Sequence, residues 1–428
     1  MFCRNFFAIF FELMYNQDMK KKVLILTVTA GNGHNSAAYA MKKRLETTGE
    51  VEVKVVDIIK EYTSALNAWT VDKGYNLAVG YLRPIYDAFY NAYLKWNPEK
   101  ASVCPAQSSV KNLNGKLLKL IYEFEPDVIY GTSYYCGMAL SNLKRVYDIP
   151  AKVVVCMLDY VVSPFWEASV GGVDFLTLSN EAFREELIAK GFKNENLVLT
   201  GIPVSEKFVE VVDKQTACEK LGIDEKLFTV LVFYGGGHWQ GGLKVFKTLA
   251  KKLKQNVQII VINGNNKKAK EKIDKMLSKL PQNIKVVNIG FTREVDLYMS
   301  ASDVMIGKGG GLSTTESINK ELPLIATTKL PGQEFYNVKF LEKYGTALTF
   351  KNGRQLLKNV EFLYDNPQEL KKMKEKLVGM KTNGIETIFE LIMKQGNADY
   401  SAIDKNIEFD KVNKRVNKAR KLASKKRK

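Results

Sequence analysis

Short, β-branched apolar runs alternate with helical patterns along nearly all of this 428-residue chain, and that alternation limits what it can fold into. Runs at 23–28, 51–57, 127–130, 152–157, 174–178 and 197–200 read as strands in the first half. Runs at 228–233, 257–262, 284–287, 303–307, 324–328 and 347–350 do so in the second. Stretches of 3.6-residue period fall between them, at 36–48, 111–124, 138–147, 180–190, 267–279 and 293–300, with more helix over 354–396. Strands separated by helices pair in parallel and need both faces covered. The expected fold is α/β: two Rossmann-like, doubly wound parallel sheets. One core cannot serve this length. The break falls at Gly201-Ile202-Pro203-Val204, dividing 19–204 from 205–385. Residues 386–428 form a C-terminal helix and basic tail. Residues 1–18 stand apart, as a mis-called start or a short interfacial segment.

In an open parallel sheet, ligands sit where the strands end. The polar residues of 303–337 gather at two such ends. Gly309-Gly310-Gly311 opens a helix carrying Leu312, Ser313 and Glu316; Lys308 precedes it, and Gln333, Glu334 and Asn337 follow the next strand. A carboxylate at 316 suits a ribose diol, Lys308 a phosphate, and Gln333 with Glu334 the paired donors and acceptors of a sugar. The loop 235–242 holds five glycines in eight residues, including Gly235, Gly236 and Gly237 beside His238. Such a loop converges backbone N–H groups on a diphosphate. It is not a P-loop, and a plain tight turn competes with the phosphate reading.

The first strand ends in Gly31-Asn32-Gly33-His34. Gly31, Gly33 and Asp57 suggest a dinucleotide fingerprint, but Ser36 occupies the third glycine position. His34 is the candidate general base, since imidazole titrates near neutrality. Asp159, at the end of another strand, is placed to orient it. Residues 60–100 are rich in rings, among them Trp69, Tyr86, Tyr90 and Trp96. They form either a buried helix or an acceptor-gripping, membrane-facing segment.

Net charge is +18, and ten of those charges lie in 411–428, which holds no acid. A block of one sign reads as a solvated, disordered tail, with anionic lipid and nucleic acid as alternative partners. No RNP-like or helix-turn-helix pattern supports nucleic acid. Five scattered cysteines fit reduced thiols and a cytoplasmic setting. Two histidines make a His- or Cys-based zinc site an unlikely reading. No run of 18 apolar residues predicts a spanning helix.

Lys308-Gly309-Gly310-Gly311…Glu316, followed by Leu330-Pro331-Gly332-Gln333-Glu334…Asn337, resembles the monogalactosyldiacylglycerol synthases and processive diacylglycerol glucosyltransferases. These are relatives of the peptidoglycan lipid-linked GlcNAc transferase. The likeness runs from about 21 to 385 and takes in 23–34, Leu158-Asp159 and 200–204. It implies a GT-B fold and inverting transfer of glucose or galactose from a UDP-sugar to diacylglycerol, at the inner face of the cell membrane. A polyprenyl-linked acceptor is the nearer alternative. By this likeness His34 is the base, with Gly33 beside it, and Asp159 lies in the acceptor cleft. The 235–238 loop holds diphosphate, Gly290 and Phe291 meet uracil, Glu316 binds ribose, and Gln333 and Glu334 bind hexose. No metal or other cofactor is implied, and no nucleic-acid partner. Three features depart from the family. Gly309 stands where it has proline, Phe335-Tyr336 where it often has an acid, and the 235–242 loop carries extra glycine.

Overall fold

The computed structural model describes residues 20–29, 32–63, 88, 90, 92, 110, 112–233, 241–330, 332–404 and 406–426. Six parallel strands make the first sheet: β1 (Lys21–Thr27), β2 (Val51–Asp57), β3 (Val128–Gly131), β4 (Lys152–Cys156), β5 (Phe175–Leu178) and β6 (Leu197–Leu199). Their order is β2-β1-β3-β4-β5-β6. The second sheet has β7 (Phe228–Phe233), β8 (Val257–Ile262), β9 (Ile284–Ile289), β10 (Val304–Gly307), β11 (Leu324–Thr327) and β12 (Ala347–Phe350), ordered β12-β11-β10-β7-β8-β9. Central strands are buried on both faces. That is why 23–26 of β1, 259–262 of β8, and β3 and β10 read as continuous apolar runs rather than alternations. The fold is therefore the doubly wound, two-sheet architecture that the alternation implies.

The covering helices of the first half are α1 (Gly33–Glu46), α2 (Ile58–Tyr62), α3 (Asn114–Phe124), α4 (Tyr134–Lys144) and α5 (Arg184–Ala189). The helix expected at 138–147 starts earlier, because Ser133 caps it by accepting the Tyr135 N–H. The one expected at 180–190 divides into a 3-10 turn, Glu181–Phe183, and α5. Then come α6 (Lys214–Leu221), α7 (Gly241–Lys252), α8 (Lys267–Leu277), α9 (Val295–Ser300), α10 (Gly311–Asn319), α11 (Gly332–Lys343), α12 (Gly353–Asp365), α13 (Pro367–Val378), α14 (Gly384–Met393) and α15 (Phe409–Lys426).

Each sheet has one place where strand order reverses. In the first it lies between β1 and β3, and in the second between β7 and β10. Connections there leave in opposite directions and open a crevice at the carboxyl edge. One apolar cluster bridges the two halves. It joins Val23, Ile25, Met41 and Leu45 to Leu231, Met305, Leu324 and Val338, through Ile202 and Val204.

The C-terminal chain returns to the first half. Arg44 of α1 grips Glu386 of α14 with two hydrogen bonds, of 2.7 and 2.8 Å, and lies 3.6 Å over the Phe389 ring. Beyond α14, the Ala398 N–H donates to Asp127 and the Tyr400 hydroxyl to the Pro126 carbonyl. The region expected as a disordered tail is instead α15. Its Val412 and Val416 are fully buried in the core of the first half. Two valines four residues apart are enough to seat one face of a helix, whatever the charge on the other. No described helix is long and apolar enough to cross a membrane.

Candidate functional site

The β1–β3 crevice holds His34, at the start of α1. Its Nδ1–H donates to the Thr132 carbonyl at 2.6 Å. A carbonyl only accepts, so this contact assigns the proton to Nδ1 and leaves the lone pair on Nε2. Burial pulls the imidazole below its usual 6.5, opposed by the Thr132 carbonyl and by Asp57. The ring is therefore neutral at pH 7, in the tautomer a general base needs. Around it Thr132 donates to Thr27, Thr27 to Asn35, and Asn35 to Thr29, which donates to Asp57.

Asp57 also accepts the Ile59 and Lys60 N–H groups as the cap of α2. That leaves it committed locally rather than reaching for a ribose. Asp57 is the acid whose charge opposes the effect of burial on His34, after the Thr132 carbonyl. Asp159, expected to orient the histidine, is held from the other half by Asn337.

The facing crevice lies between β7 and β10. The 234–240 loop, with Gly235, Gly236, Gly237 and His238, falls outside the described residues, as do Trp69, Tyr86 and Trp96. One wall of the β7–β10 crevice is the start of α10. Gly310 caps that helix with no side chain over it, so the first-turn N–H groups lack a side-chain cap, and Ser313 donates to the Gly310 carbonyl. Glu316 is half-buried, and burial pushes its carboxyl up to about 7; Asp296 adds to the shift and Lys207 opposes it. Gly290 follows β9, and Phe291 beside it is 68% exposed, open to a stacking partner.

The two crevices meet. Gly33 lies against Leu312, with 3.7 Å between the leucine methyl and a Cβ built on the glycine. A Cβ on Gly311 would fall inside the Leu158 carbonyl oxygen, so only glycine permits this approach. Asn337 is fully buried and serves both halves. It accepts the Tyr160 N–H at 2.6 Å and donates to Asp159 at 2.9 Å and to the Gly309 carbonyl at 2.7 Å. Thr315 donates to Gly311, so the Tyr160 hydroxyl, 2.9 Å away, donates to Thr315. Burial raises the Asp159 carboxyl to about 7; Glu334 adds to this and Asn337 opposes it.

Lys308 and Glu334, assigned to phosphate and sugar, pair with each other at 2.9 Å. Gln333 starts the same helix, half-buried. Tyr90 of the aromatic segment lies 6.1 Å, ring to ring, from Tyr336 on α11. Gly309 has a steric explanation: a Cβ there would be 2.5 Å from both the Glu334 carbonyl and Val338. The start of α11 therefore sits against the turn where the family has proline.

Thr132, Tyr160 and Asn35 were not singled out from the sequence. Only the adjacency of β1 with β3, and of the two halves, gives them a role.

The description "Monogalactosyldiacylglycerol (MGDG) synthase" matches residues 34–204, and "Glycosyltransferase family 28 C-terminal domain" matches 198–392. Similar proteins include the processive diacylglycerol beta-glucosyltransferases of Bacillus licheniformis and Bacillus subtilis. Each is 26% identical, over 88% of this chain and 96% of its own. Among solved structures, Acinetobacter baumannii MurG superposes with TM-score 0.60 at 15% identity, covering 88% of this chain and 100% of its own. Anabaena HepE in complex with UDP gives 0.51 at 15% identity, over 88% and 99%. Two matched halves and two facing parallel sheets agree: the chain is a GT-B glycosyltransferase whose first half resembles the monogalactosyldiacylglycerol synthases and whose second half resembles the glycosyltransferase family 28 C-terminal domain.

Proposed function

We propose that the protein transfers a hexose, glucose or galactose, from a UDP-sugar to the hydroxyl of diacylglycerol with inversion, working at a membrane surface it does not span. The observation that carries this reading is His34, proton on Nδ1 and lone pair on Nε2, next to Gly33, which lies against Leu312 of α10 across the junction. Donor UDP lies in the second half. Glu316 accepts the ribose diol, Gly290 and Phe291 meet the base, and the 235–238 loop with the α10 N–H groups holds the diphosphate. Gln333 and Glu334 face the hexose. As the acceptor oxygen attacks the anomeric carbon, His34 Nε2 takes its proton and the bond to UDP breaks. Backbone N–H groups and the positive helix end stabilise the charge developing on the departing diphosphate. The relatives' names supply the diacylglycerol acceptor. The aromatic segment 60–100, including Trp69, Tyr86, Tyr90 and Trp96, is proposed to receive it.

The test incubates the protein with UDP-glucose or UDP-galactose and diacylglycerol vesicles, following UDP release and glycolipid by thin-layer analysis. One donor is expected to give both. Neither donor giving glycolipid sinks the diacylglycerol reading, and UDP release with a polyprenyl-linked acceptor alone moves it to that lipid.

A further inference from the structure

We infer that the outer face of α15 docks the enzyme on an anionic phospholipid bilayer; the choice of a bilayer rests on the lipid acceptor proposed above. The helix lies beyond residue 392, where the family match ends. Val412 and Val416 fix its rotation by burying one side in the core of the first half. At roughly 100° per residue, Lys411, Lys414, Arg415, Lys418 and Lys421 then share one outward arc of about 120°. All five are exposed. Glu408 pairs with Lys411 and stands 3.9 Å from Arg415. No acid follows Asp410 in the sequence. Leu422, 54% exposed, lies on the same arc. A leucine among lysines suits a headgroup boundary, where the cations meet phosphate and the apolar chain meets acyl carbon. It adds nothing on a nucleic-acid duplex.

Position supports the same partner. The Asn413 side chain takes the Gly115 N–H and donates to the Asn112 carbonyl. Phe409 sits so close that a Cβ on Gly115 would lie 2.5 Å from its carbonyl. These contacts are at the start of α3, which leads down into parallel strand β3. They therefore lie toward the carboxyl edge of the sheet, the edge that carries His34. Lys116 and Lys119 of α3 are exposed beside them. A bilayer on this face meets the molecule where the chain from 64–109 enters the fold and near the catalytic crevice.

The test is flotation of the full chain with vesicles of phosphatidylglycerol and phosphatidylcholine against phosphatidylcholine alone, with no donor present. Binding to the anionic vesicles only, weakened by salt, is expected. Each Lys contributes a factor of roughly five near an anionic surface, so the triple variant K414Q/K418Q/K421Q should bind about 100-fold more weakly. Its melting temperature should be unchanged, because the three side chains are exposed. Turnover on detergent-dispersed acceptor should also be unchanged. Equal binding by wild type and variant overturns the inference. So does equal binding to neutral vesicles, or a preference for duplex RNA at matched phosphate. Flotation reads binding without chemistry, so a failed transferase assay leaves this result interpretable.

Discussion

Gly311→Ala isolates what the junction between the halves contributes. Gly311 is the first residue of α10 and has no positive φ, so alanine by itself should favour the helix by about 1 kcal/mol. The obstacle is across the crevice. The new methyl would occupy the Leu158 carbonyl oxygen, and ordinary contact begins only near 3.4 Å. The halves must part by more than an ångström. That shift stretches the Tyr160–Asn337, Tyr160–Thr315 and Asn337–Asp159 hydrogen bonds, now 2.6, 2.9 and 2.9 Å, beyond useful length. Their polar groups regain water in the open form, so net values apply: about 1 kcal/mol each for the neutral bonds and about 1.5–3 for the one to a carboxylate. The closed arrangement should lose about 3–5 kcal/mol in all. If turnover needs closure, kcat should fall by 10² to about 10³-fold or more. Small-angle X-ray scattering without donor should show a larger radius of gyration, which a purely local defect at the donor site would not produce. An unchanged radius with a rate within about threefold of wild type would refute the reasoning.

Other outcomes follow from single residues. His34→Ala should lower turnover by about 10²–10⁴-fold, and the acid limb of the wild-type pH–rate profile should lie below 6.5, since burial lowers that imidazole. Glu316, raised to about 7, should ionise across neutrality and accept the ribose diol better as it does so. KM for the UDP-sugar should therefore fall from pH 6 to 8, and Glu316→Gln should raise KM and flatten that trend. Asp159 is raised from 3.8 to about 7, so between those values the folded chain binds more protons than the unfolded one. Its contribution to stability is then complete below about pH 4 and declines as pH rises to 7. Urea melts of Asp159→Asn should show a shallower decline, with Glu316 supplying the remainder in the same sense. Gly309→Ala, which places a methyl 2.5 Å from Glu334 and Val338, should cost about 1–3 kcal/mol and lower the melting temperature; an unchanged melt would dismiss the steric account.

The strands were the most legible part of the fold, for a local reason. Burial on both faces demands continuous β-branched sequence, and β7 and β8 begin and end where their apolar runs do. Helix starts were less legible, because a cap such as Ser133 acts through one side-chain contact that periodicity does not record. The charged tail misled for a related reason. Composition weighs ten cations against a few apolar residues, whereas folding weighs whether Val412 and Val416 find a core.

What the sequence determined by itself was the alternation of strand and helix, and with it two parallel sheets whose turns carry the polar residues. It also held the motifs from Lys308 to Asn337 that mark the family. These are properties of neighbours in the chain. Tertiary structure alone decided which turns face one another. His34 gains its tautomer from Thr132, 98 positions away, because β1 lies beside β3. Asn337 becomes the clasp on Asp159 because the two sheets close edge to edge, and Lys308 the partner of Glu334 because β10 lies beside β11. A side chain's proton, partner and charge are set by what surrounds it in space, and strand order and the meeting of the halves supply those surroundings.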